Sequence, residues 1–236
     1  MTTLLIATRN AHKVGEIQAI LGAQFLCLTL KEFPGAPPVI EDADTFAANA
    51  TKKAVELAKW LAADTSKFKI KNSIIDFVLA DDSGLEVDAL QGAPGVHSAR
   101  FAALDRSADG PSASPHENSS DADNNAKLLC LLKNVPLENR TARFRCVIAL
   151  VPVPEKKVEA ASPVCFADEI PAQIFDGACE GVVQLSPNGI NGFGYDPLFV
   201  PDGFTQSFAE LGDEVKNKIS HRAKALEKLK KFFAAV

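Results

Sequence analysis

The sequence predicts an α/β fold built on a mostly parallel sheet. Short unbroken apolar runs such as LLIA and FLCLTL suit strands buried on both faces. Segments of helical periodicity separate these runs, in the order strand, helix, strand, helix, strand. A third observation limits the alternatives: no apolar run approaches the roughly 20 residues needed to span a bilayer.

Each element has a local reason. Leu4–Ala7 forms the first apolar run, and Val14, Ile17 and Leu21 then recur at helical spacing until Gly22 offers a stop. Phe25–Leu30 reads as a second strand, and Pro34, Pro37 and Pro38 force a loop. Thr45 caps a predicted helix through Trp60, with Phe46, Ala50, Leu57 and Leu61 inward. SIIDFVLA, Ser73–Ala80, reads as the third strand. From residue 105 to 125 the chain turns rich in Ser, Asp, Pro and Ala without periodicity, which reads as a flexible surface insertion. KLLCLLKNV then reads as a helix, and RFRCVIALVPV, SPVCFA and GACEGVVQL as strands of a second lobe. NGFGYDP leads into a strand, PLFV, and Asp213 to the C-terminus reads as helical with Ser220 as an N-cap inside it. There is no internal repeat.

A chain of 236 residues is long enough for one large domain or two lobes with a real core. Apolar content of 47% and charged content of 23% belong to a soluble globular protein, here expected to be cytoplasmic. The formal charge of −5 gives no electrostatic reason for nucleic-acid or membrane binding, so an anionic ligand would need local basic groups. Five scattered cysteines, with no CxxC or Cys/His cluster, suggest neither a zinc site nor a disulfide framework.

Four stretches could carry chemistry. TRNAHK, Thr8–Lys13, lies where the first strand meets the first helix, and such a turn aims backbone N–H groups at a phosphate. It is not a Walker A loop, since GxxxxGK[ST] is absent. ADDSG, Ala80–Gly84, follows the third strand, where carboxylates suit magnesium. Read locally, an acidic turn closed by Gly84 is slightly the stronger reading. Glu41 and Asp42 are a second acidic pair, which a solvated loop would also explain. NGFGYDP offers aromatic rings to stack on a base, with an aspartate or amides to read its edge; a tight turn is the bland alternative. Finally, SHR at a helix start would aim a hydroxyl, an imidazole and a guanidinium outward together, although a solvated basic face is also possible there.

Taken in order, IATRNAHKVGEI, FAANATKKA, LADDSGLEVDALQGAPGVHSARFA, NNAKLL, RFRCVIAL, NGFGYDPLFVP and ISHRAKAL resemble the inosine triphosphate pyrophosphatase family, the HAM1-like pyrophosphatases. The resemblance covers nearly the whole chain. It implies one domain, 1–236, of two lobes: an elongated mixed-sheet fold with the active site in the cleft between them. It also implies hydrolysis of ITP, dITP and XTP to the monophosphate and pyrophosphate, dependence on Mg2+, and a homodimer.

Carried over by motif, Thr8, Arg9, Asn10, Ala11, His12 and Lys13 resemble the N-terminal nucleotide-binding turn. Glu41 and Asp82 fall where the family holds its metal, and Asp82 is also the implied catalytic base for water. Ser83 follows as a ligand contact, Lys53 faces the phosphates, and Lys13, Lys53 and Lys216 offset their charge. Phe193, Gly194, Tyr195 and Asp196 resemble the base-binding loop, and Lys216 with His221 and Arg222 closes over the nucleotide. Asp81 is the weaker member of its pair.

Two departures stand out. Arg9 replaces the glycine that many relatives carry in T-G-N, and the Ser/Asp-rich stretch is longer than usual. A silent nucleotide-binding regulator is disfavoured by Glu41, Lys53 and Asp82, since a binder needs no water-activating carboxylate. A Maf-like enzyme for modified pyrimidines is disfavoured by FGYD and SHR. A nucleic-acid module lacks any basic, aromatic-interleaved stripe.

Overall fold

The computed structural model describes residues 1–63, 69–70, 73–105, 118–154 and 170–235. The strands are β1 (Thr2–Ile6), β2 (Phe25–Thr29), β3 (Lys69–Ile70), β4 (Ser73–Ile74), β5 (Phe77–Val87), β6 (Thr141–Pro152), β7 (Gln173–Val183) and β8 (Phe199–Pro201). The helices are α1 (Ala11–Leu21), α2 (Phe46–Ala62), α3 (Asp121–Leu132), α4 (Phe208–Ile219) and α5 (His221–Ala234). A six-stranded sheet runs β2-β1-β5-β6-β7-β8, and β3 pairs with β4 separately. Because β1 is parallel to β2 and β5 while β7 and β8 are antiparallel, the sheet is mixed. Among the described residues no helix is long and apolar enough to cross a membrane.

The chain divides into two compact units, Met1–Asp82 with Val147–Phe175, and Ser83–Cys146 with Asp176–Val236. The division falls inside β5, β6 and β7. RFRCVIALVPV, read as belonging to a second lobe, is therefore shared between both units.

The first unit follows the sequence periodicity closely. Leu4, Leu5 and Ile6 of β1 are buried, as parallel strands require. Asn10 caps α1, whose Ile17 and Leu21 are buried, and Gly22 ends it with φ +67°, a conformation that costs glycine little. Thr45 caps α2, and Phe46, Ala50, Leu57 and Leu61 are all buried on its inner face.

The third strand differs from expectation. SIIDFVLA is not one strand: β4 ends at Ile74, and β5 starts at Phe77 and continues through ADDSG to Val87. ADDSG is thus neither a turn nor a strand end. Gly84 serves close packing instead, because a Cβ there would lie 2.4 Å from both the Gly95 carbonyl and Ser98 Oγ.

In the second unit one buried cluster joins Leu85, Val87, Leu128, Phe144, Tyr195, Phe199 and Phe208. Helix α3 starts earlier than the sequence reading allowed. Ser120 caps it, and Asp121 and Asp123 occupy its first turn, so residues 121–125 are helix rather than aperiodic loop. Carboxylates at a helix N-terminus complement its dipole, which a compositional reading of a Ser/Asp-rich stretch overlooks. Residues 106–117 and the predicted strand SPVCFA lie outside the described residues. Helix α4 also starts before Asp213, through a capping box between Ser207 and Glu210, and breaks at Gly212 with φ +74°. Ser220 caps α5 as expected. Burial pushes the Cys27 and Cys179 thiols up to about 11, so both behave as small hydrophobes.

Candidate active site

The register of the first unit sets its chemistry. β1 pairs with β5 only as far as Leu79, so Asp81 and Asp82 stand just past the carboxyl end of β1, where open α/β sheets bind ligands. Adjacent strand residues point to opposite faces, which separates the two carboxylates. Lys13, in the first turn of α1, reaches Asp81 Oδ1 at 2.6 Å, and that aspartate side chain is fully buried. Lys53, on the inner face of α2, donates to the Asp81 backbone carbonyl at 2.6 Å. The same ammonium lies 3.2 Å from Glu41 Oε1 and 3.8 Å from Asp82 Oδ1. Asp42, the neighbour of Glu41, turns to Lys52 on the surface.

Three carboxylates against two ammonium groups leave this cluster one negative charge in excess. Burial pushes the Asp82 carboxyl up to about 6; Lys53 and Lys13 oppose the shift, and Glu41 and Asp81 reinforce it. Asp82 Oδ2 is buried with no hydrogen-bond partner. An anionic oxygen left so is costly unless a cation or proton meets it. Hard oxygen donors beside an unpartnered buried carboxylate oxygen fit magnesium. Among the described residues no group of three or more His, Cys, Asp or Glu could hold a metal. An ion here would rest on Glu41 and Asp82 and complete its shell with water and phosphate, as magnesium does.

The TRNAHK turn is less open than expected. Asn10 Oδ1 accepts from the amides of His12 (2.9 Å) and Lys13 (3.2 Å), and Thr8 Oγ1 accepts from the Asn10 amide. Two amides expected to face a phosphate thus already cap onto Asn10, while Ala11 and His12 are exposed. Arg9 turns its guanidinium to the Ala36 carbonyl at 2.9 Å, bracing the Pro-rich loop.

The second unit holds the other predicted residues. Gly192 (φ +74°) and Gly194 (φ +62°) shape the FGYD loop, and a Cβ on Gly192 would strike Asp196. Asp196 Oδ2 accepts from the Phe193 amide at 2.8 Å and from Lys216 at 2.5 Å. Lys216 Nζ also sits 4.5 Å from the Phe193 ring centroid. Lys216, expected to offset phosphate charge, is therefore buried in an ion pair with Asp196.

Tyr195 departs further from expectation. Only 4% exposed, its ring belongs to the core and its hydroxyl donates to the Ser98 carbonyl, whereas Phe193 in the same loop is half-buried. Burial raises the Tyr195 phenol well above its ordinary value. His221 and Arg222 do not point outward either. His221 stacks on Phe144 with centroids 4.8 Å apart, and Arg222, 1% exposed, donates to Ser83 Oγ at 2.8 Å.

Sequence reasoning missed two partners of this loop. Asp121 Oδ2 accepts from the Gly194 amide at 2.6 Å, and Asn125 Nδ2 donates to the Gly194 carbonyl at 3.0 Å. Asn125 lies in NNAKLL, which was the available signal for it, whereas Asp121 precedes that motif.

The profile of the Ham1 family matches residues 4–232. A dITP/XTP pyrophosphatase of Desulforamulus reducens is 44% identical over 226 residues, covering 95% of this chain and 92% of that protein. A dITP/XTP pyrophosphatase of Geobacter sulfurreducens is 44% identical over 231 residues, covering 98% of this chain and 96% of its own length. Among solved structures, a HAM1 protein from Coxiella burnetii matches with a TM-score of 0.73 and 32% identity across 100% of both chains. The Staphylococcus aureus Ham1 protein matches with a TM-score of 0.72 and 32% identity across 99% of each.

Proposed function

Since this chain belongs to the Ham1 family, we propose that it hydrolyses non-standard purine nucleoside triphosphates, the ITP, dITP and XTP class, to the monophosphate and pyrophosphate. One observation carries the chemical reading: Asp82 keeps a buried, unpartnered oxygen beside Lys53 within an acid-rich cluster. A structural ion pair would satisfy that oxygen. A site that must meet magnesium and water leaves it available.

Glu41 and Asp82 would hold magnesium, which when bound supplies charge neutralisation for the phosphates. Water attacks the α-phosphorus, the bond to the bridging α–β oxygen breaks, and pyrophosphate leaves. Asp82 accepts the proton of that water; a carboxyl pushed up to about 6 is a stronger base than an exposed one and stays largely ionised at neutral pH. Lys53 and Lys13 keep the carboxylates placed and offset phosphate charge. For the purine, Phe193 offers a ring face, and donors to the 6-keto edge would reject an amino group at that position. Homodimer assembly comes from the resemblance and cytoplasmic residence from the composition; both form part of the proposal.

The test is magnesium-dependent turnover of ITP and XTP beside ATP and GTP, with pyrophosphate and orthophosphate assayed separately. Pyrophosphate and monophosphate from ITP or XTP, with ATP and GTP nearly untouched, are expected. Tight ITP binding without turnover would make the protein a regulator instead.

A further inference from the structure

We propose that Asp121 and Asn125 are positioning residues that clamp the purine-facing loop by its Gly194 backbone; this rests on the base-binding reading of Phe193–Asp196. Gly194 has no side chain and sits at φ +62°, so its place depends on the partners of its N–H and C=O. Both come from one face of α3, where Asp121 and Asn125 are four residues apart. Asp121 Oδ2 takes the N–H at 2.6 Å, and Asn125 Nδ2 reaches the C=O at 3.0 Å.

The grip is rooted in the core. Asn124, 3% exposed, accepts from the Ala102 amide at 2.9 Å and donates to the Ala99 carbonyl at 3.3 Å, and Leu128 and Leu132 are fully buried. Asp196, within the loop, holds the Phe193 amide, and Lys216 of α4 lies over the Phe193 ring. Phe193 is thus fixed by Asp196 and Lys216, and Gly194 by α3, which sets the ring plane that a base would meet.

Asn125 shows that stability alone does not account for the contact. Directing Nδ2 at the Gly194 carbonyl leaves its Oδ1 buried without a hydrogen-bond partner. An unpaired buried oxygen costs free energy, and the arrangement accepts that cost to hold the loop.

The test is steady-state pyrophosphate release from ITP by the full chain and three variants, with inorganic tripolyphosphate as a competitive inhibitor lacking a base. Asn125→Asp sets an oxygen against the Gly194 carbonyl and is expected to raise KM for ITP about tenfold, with kcat within about twofold. Asp121→Ala is expected to raise KM about fivefold, while Asp121→Asn keeps the acceptor and stays near wild type. Inhibition by tripolyphosphate should not change. Wild-type KM in Asn125→Asp and Asp121→Ala would overturn the clamp alone. So would equal loss in Asp121→Asn and Asp121→Ala, because that pattern belongs to the helix dipole. A wild-type protein that releases no pyrophosphate from ITP would remove the functional reading, and the clamp with it.

Discussion

Each unit buries an aspartate beside a lysine, and the two arrangements are built to opposite ends. In the second unit Asp196 and Lys216, both with side chains 2% exposed, meet at 2.5 Å, and the same carboxylate oxygen takes the Phe193 amide. That pair is closed, and its charges cancel. In the first unit Lys53 lies 3.8 Å from Asp82, closer to Glu41, and bonded to a backbone carbonyl, while Asp82 keeps an unpartnered oxygen. A closed pair fixes a loop. An open, acid-rich cluster holds electrostatic free energy that a cation and a phosphate can release.

The comparison breaks most sharply at Asp82. Asp82→Asn is expected to lower turnover about 10²- to 10⁴-fold, measured as pyrophosphate release, with native circular dichroism retained. Near-normal rates would take Asp82 out of catalysis. The closed pair should respond in stability. Lys216→Met strands a buried carboxylate and is expected to cost about 3–5 kcal/mol in urea unfolding. A loss no larger than that of an exposed pair would mean that Asp196 and Lys216 are not closed as described.

A pH experiment sharpens the same contrast. The Asp82 carboxyl rises from 3.8 unfolded to about 6 folded, because burial outweighs the two lysines. Its ionised form therefore opposes folding: the penalty is absent below pH 4 and fully present above about 6. In EDTA, Asp82→Asn should be more stable than wild type at pH 7, by up to about 3 kcal/mol, and the advantage should shrink on acidification through that window. An advantage that does not change with pH would assign the shift elsewhere. The smallest effect is expected at the exposed Lys52–Asp42 pair, where Lys52→Ala should leave the unfolding midpoint and kcat unchanged within error.

Local pattern was a good guide where one rule governed a segment. The caps at Thr45 and Ser220, the stop at Gly22, and the buried faces of α1 and α2 follow from side-chain chemistry within a few residues. Pattern failed where two readings of one residue compete. Gly84 signals a turn by type yet serves close packing in mid-strand, and the Ser/Asp composition before residue 125 hid a capped helix start. Tyr195 and His221 looked like surface ligands because polar aromatics suit both settings, and their neighbours Ser98 and Phe144 are distant in sequence.

The sequence alone determined the α/β class, the caps of α2 and α5 and the family, because periodicity, capping and motif order are properties of the chain itself. It also brought Glu41, Lys53 and Asp82 into one hypothesis. Tertiary structure decided which oxygen stays unpartnered, which lysine is neutralised, and which aromatic remains accessible. Those outcomes depend on burial and on partners tens of residues away, and dielectric and pairing exist only once the chain has closed around them.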